Sequence, residues 1–112
     1  MTVLNVETVS RQAELRKGLA GRTRILDDFG MLFILDSTRE QFFWMKGMKF
    51  PLDILFFDRE KILTAILKNL TPCEECTKYR APAHTAYALE INGGVADILG
   101  VKEGDRIVFS DK

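Results

Sequence analysis

At 112 residues the chain is long enough for one domain with one core and too short for two ordinary ones. Sixteen basic and sixteen acidic side chains cancel, which removes the electrostatic case for nucleic acid or for a polybasic membrane contact. The longest apolar runs, 31–35 and 54–57, fall far short of the roughly 20 residues of a membrane span. The N-terminal segment has no basic stretch followed by an apolar block, so the expected location is the cytoplasm.

Alternation of Val3, Asn5 and Glu7 with Leu4, Val6 and Thr8 predicts a first strand. Ser10 or Thr8 can cap a short helix over 11–19, which Gly18 or Gly21 ends. Its apolar stripe is thin (Ala13, Leu15, Leu19), as expected of a helix lying on a sheet. After the turn Asp27-Asp28-Phe29-Gly30, residues 31–35 read as a strand buried on both faces. Residues 41–46 form an aromatic-rich strand, and Gly47 and Pro51 bracket a bend. Residues 52–57 and 62–67, joined by the polar turn Asp58-Arg59-Glu60-Lys61, predict a hairpin. A loop over 71–82 holds both cysteines. A strand over 85–91, a short helix over 96–99 and a last strand over 106–109 follow. The sum is a single α+β domain over 1–112. It is mostly β, with a curled or barrel-like sheet of about six or seven strands and two short helices.

Three charged residues stand among apolar neighbours in these strands. Lys46 shares a strand face with Trp44 and Phe42, Asp53 with Leu55 and Phe57, and Glu90 with the small residues Ala86 and Ala88. A lone buried charge costs several kcal/mol by rough estimate, so such groups are paired or face a cleft. Arg22 and Lys46 are the natural partners of Asp53 and Glu90. The functional reading is a polar cluster at a cleft mouth with Trp44 as apolar wall; the structural one is a salt-bridge network between strands. The phenylalanines 42, 43, 56 and 57 are read as core.

Cys73-Glu74-Glu75-Cys76 is a single C-x-x-C, open to metal binding, to a disulfide or to neither. It offers two zinc ligands where a structural site needs four, and His84, the only histidine, is a third. Two glutamates between the cysteines work against thiolate formation. No cofactor is expected, and zinc at Cys73, Cys76 and His84 is the one metal the sequence allows. No serine sits in a nucleophile elbow, and no glycine-rich run precedes a helix as a phosphate site requires.

Six ordered segments carry a family resemblance over nearly the whole chain. They are Gly18-Leu19 with Arg22, Gly30-Met31-Leu32-Phe33, Phe43-Trp44-Met45-Lys46, Pro51-Leu52-Asp53-Ile54, Leu89-Glu90 and Gly104-Asp105. In this order and spacing they resemble the bacterial and archaeal proteins grouped as domain of unknown function 192. Ala20 stands where that pattern usually has methionine, and Gly47-Met48 where it has Asn-Thr. The resemblance implies a compact β-rich fold and no activity.

The expectation is therefore a non-enzymatic module, monomeric or weakly dimeric. It binds a small molecule or peptide in a polar cleft formed by Arg22, Trp44, Lys46, Asp53 and Glu90. The alternatives are a hydrolase or lyase using Asp53 and Glu90 as paired carboxylates, and a structural interaction protein.

Overall fold

The computed structural model describes residues 3–108, and of Gln12 the backbone only. Its elements in chain order are β1 (Asn5–Val9), α1 (Gln12–Lys17), β2 (Phe29–Ile34), β3 (Phe42–Phe43), β4 (Leu52–Phe57), β5 (Leu63–Leu70), β6 (Tyr79–Arg80), β7 (Tyr87–Asn92) and α2 (Val95–Leu99). Five strands form one mixed sheet in the order β1-β2-β7-β4-β5, and β3 pairs with β6 in a separate ribbon. The mostly β, two-helix expectation holds. Among the described residues the five-stranded sheet does not close on itself, so no barrel forms.

β1 and β2 run parallel, which requires a crossover; α1 and the chain after it supply one. β2, β7, β4 and β5 are antiparallel neighbours, and β4–β5 is the expected hairpin. The register sorts side chains onto two faces. Met31 and Ile54 flank Glu90 on one face, together with Phe33, Ala88 and Phe56. Leu32, Leu55, Leu89, Ile91 and Asp53 point the other way. The first face packs against Leu19, Met45 and Met48, and the second against Val95 and Ala96 of α2. Two thin apolar layers thus sandwich one sheet.

Several elements are shorter than their sequence suggests. α1 begins after Arg11, without a side-chain cap from Ser10 or Thr8. Glu14 accepts a bond from the Arg11 N–H instead, at 3.4 Å. Only Phe42 and Phe43 of the expected strand over 41–46 pair with another strand, because their partner β6 is itself two residues long. That partner lies in the segment read as loop. Of the expected last strand the described residues show one bridge, Ile62 to Arg106, and Phe109 lies outside them. No helix among the described residues is long and apolar enough to cross a membrane.

Candidate functional site

A cleft of about 520 Å³ lies on the Glu90 face of the sheet, between the end of α1 and the chain from Leu35 to Met48. Its floor is Phe33 and Glu90. Phe43 forms one wall, meeting Phe33 edge-on at 5.7 Å between ring centres. Phe43 also meets Phe56 edge-on at 5.3 Å, so this wall is anchored in the core. Ile34, Phe42 and Trp44 line the mouth and stay 42–53% exposed, which leaves an apolar rim in contact with water.

Glu90 is 6% exposed and has neither a hydrogen-bond nor an ion-pair partner among the described residues. No fully buried side-chain oxygen there lacks a partner, so the Glu90 oxygens must open onto the cleft. Burial beside Met31 and Ile54 pushes its carboxyl up to about 8, so the protonated form prevails at neutral pH. Gly18 closes over it with φ +50°. A Cβ there would lie 3.1 Å from Phe33 Cζ and 3.5 Å from Glu90 Oε1. The glycine ends α1 and lets the backbone approach the carboxyl.

The cleft carries an excess of cations: Arg16, Lys17, Arg39, Lys46 and Lys78. The Nζ atoms of Lys46 and Lys78 lie 5.1 and 5.3 Å from the centre of the Trp44 ring. Backbone pairing explains why two lysines distant in sequence reach one ring. Lys46 bridges Cys73, a disulfide joins Cys73 to Cys76, and β6 then returns to β3.

Of the five residues expected to converge, Trp44, Lys46 and Glu90 line the cleft. Asp53 does not. It is wholly buried on the opposite face, where its carboxylate accepts bonds from the N–H groups of Asn69 (2.8 Å), Gly94 (3.1 Å) and Ala96 (2.8 Å). It caps α2 from a neighbouring strand and fixes the left-handed turn at Asn69. Asp53 and Glu90 therefore point away from each other, and the paired-carboxylate arrangement is absent. Arg22 pairs with neither of them. It binds Glu7 at 2.9 Å and lines a shallower depression of about 340 Å³ that shares Lys17, Gly18 and Ala20 with the cleft.

Cys73 and Cys76 are bonded to each other, and no three His, Cys, Asp or Glu side chains gather as a metal site among the described residues. His84 stands exposed at φ +64°. Sequence reasoning missed Gly18, Phe33, Phe43 and Lys78. Gly18 had a signal, because a glycine ending a helix opposite a strand marks a close approach. Lys78 had none, since its place depends on the cysteine turn.

The sequence profile of DUF192 (Uncharacterized ACR) matches residues 1–109. The chain belongs to the DUF192 family. Among curated proteins no match was found. Two solved structures are similar. One is a protein of unknown function from Novosphingobium aromaticivorans DSM 12444, 37% identical, with a TM-score of 0.88 over 95% of this chain and 75% of that one. The other, from Sinorhizobium meliloti 1021, is described as a candidate transcription regulator. It is 36% identical, with a TM-score of 0.86 over 92% of this chain and 79% of that one. The DUF192 match spans the segments that build the cleft, from Gly18 to Glu90.

Proposed function

We propose that this DUF192 protein is a small-molecule-binding module whose ligand enters the cleft above Glu90. The observation that carries this reading is the Glu90 carboxyl, nine-tenths buried, unpartnered among the described residues, and open only to the cleft. A carboxyl that opens only to the cleft directs its hydrogen bond at whatever fills the cleft, and a ligand's polar atom would take that bond in place of water. The cleft volume, about 520 Å³, falls within the range of roughly 300–1,000 Å³ typical of small-molecule sites. That size favours a small molecule over a peptide. Nucleic-acid binding is not favoured, because the charges balance overall, although one relative is described as a candidate transcription regulator.

The test uses the single tryptophan, which sits at the cleft mouth. Acetanilide, a neutral aromatic amide, is titrated into the 15N-labelled protein at millimolar concentration. The Trp44 indole N–H and the Gly18 amide should shift together, while the amides of α2 on the far face stay still. Shifts scattered over both faces, or none, would overturn the reading.

A further inference from the structure

The charge at the cleft mouth and the hydrogen at its floor narrow the ligand class, given the binding reading above. We propose that the cleft takes an organic anion with two ends. Its anionic group lies at the Trp44 ring within reach of the Lys46 and Lys78 ammonium groups, and its other end presents a neutral acceptor to the Glu90 carboxyl.

The mouth argues for the anion. None of Arg16, Lys17, Arg39, Lys46 and Lys78 forms an ion pair among the described residues. The two acids that line the cleft above the floor are already engaged. Asp36 accepts from the Thr38 N–H at 2.9 Å and from its hydroxyl at 2.6 Å, and Glu40 pairs with Arg80. Both ammonium groups lie within 5.3 Å of the centre of one indole, so an anion seated at that ring meets two cations without ion-pair partners among the described residues and can accept a charge-assisted bond from either. A cationic ligand would meet the same field with the opposite sign.

The floor argues for the neutral end. Glu90 is flanked by Met31 and Ile54 in register and covered by Gly18 and Phe33, none of which carries a charge. A carboxyl so placed keeps its proton at neutral pH and can donate it to a ligand's acceptor. A second anion at the floor would have no cation to balance it. Between the ends, Phe33, Phe43 and Trp44 suit a flat apolar body.

Three probes of one shape separate the cases: 4-acetamidobenzoate, acetanilide and 4-acetamidobenzylamine, which are anionic, neutral and cationic. Affinity is read from the Trp44 indole cross-peak. The anion should bind at least about tenfold tighter than the neutral probe, and the cation more weakly than either. Lys46→Glu with Lys78→Glu, both at exposed positions, should invert the order. Equal or tighter binding of the neutral or cationic probe would overturn this inference and leave the binding reading standing. Binding of none of the three would overturn both. The floor is tested by pH. Wild-type affinity for 4-acetamidobenzoate should fall several-fold between pH 7 and 9, while Glu90→Gln, which keeps an N–H donor, should show a smaller fall. Parallel curves would remove Glu90 from the site.

Discussion

Glu90 and Asp53 are both acids in the interior of one sheet, yet the chain treats them oppositely. Asp53 is held by three backbone N–H groups and serves the fold, whereas Glu90 is buried with no such partners. Because burial raises the Glu90 carboxyl from 4.5 to about 8, the folded state binds a proton that the unfolded chain has released. Its contribution is fully present below pH 4.5 and is lost as pH rises toward 8. The slope approaches about 1.4 kcal/mol per unit within that window. Glu90→Gln should therefore flatten the dependence of melting temperature on pH between 5 and 8, and melt above the wild type at pH 8. Parallel curves for the two proteins would show that the carboxyl is solvated and ionises normally. Asp53→Ala leaves three N–H groups without their acceptor in a dry setting and should cost about 3 kcal/mol or more. Arg22→Ala breaks only an exposed pair, at 39% and 45% exposure, and should cost less than about 1 kcal/mol. Urea denaturation of both variants checks the contrast, and a large loss for Arg22→Ala would mean a buried partner.

At the scale of elements, what could be read from sequence followed the hydrophobic pattern. The run at 52–57 and the hairpin after it were legible because a strand buried on both faces leaves a continuous apolar signature. α1 was legible from its helix formers and from Gly18, though its ends were not, since caps depend on local bonds such as that from Arg11 to Glu14. The stretch from Phe42 to Lys46 shows the limit. Its alternation is real: Phe42, Trp44 and Lys46 are exposed, Phe43 is half-buried and Met45 is buried. Alternation records which face is wet, however, and not whether a neighbouring strand is long enough to pair. The site was half legible for a related reason. Period-two reasoning put Lys46 with Trp44 correctly. It could not tell which faces of β4 and β7 coincide, and the register that pairs Ile54 with Glu90 sends Asp53 to the other side.

Across the whole molecule the load is carried by the sheet and the two apolar layers on it, which fixes what the cysteine pair can contribute. One layer centres on Met31, Phe33, Ile54 and Phe56, and the other on Leu32, Leu55, Leu89 and Ile91. Cys73 touches only the margin of the first, half-buried, and the disulfide closes a span of three residues. Cross-links over so short a loop restrict the unfolded chain least. Replacing both cysteines with serine should thus leave the circular dichroism spectrum and cooperative unfolding intact, with a loss of no more than about 2 kcal/mol. The rim of the cleft should respond more than the fold does. The turn from Cys73 to Cys76 is what returns Lys78 to Trp44, so the indole cross-peak should move and 4-acetamidobenzoate should bind several-fold more weakly. A variant that no longer unfolds cooperatively would place the cysteines in the core of the fold. Stoichiometric zinc in the wild-type protein, with unfolding on chelation, would assign them to a metal instead. An intact fold with unchanged anion affinity would separate the cysteine turn from the cleft altogether.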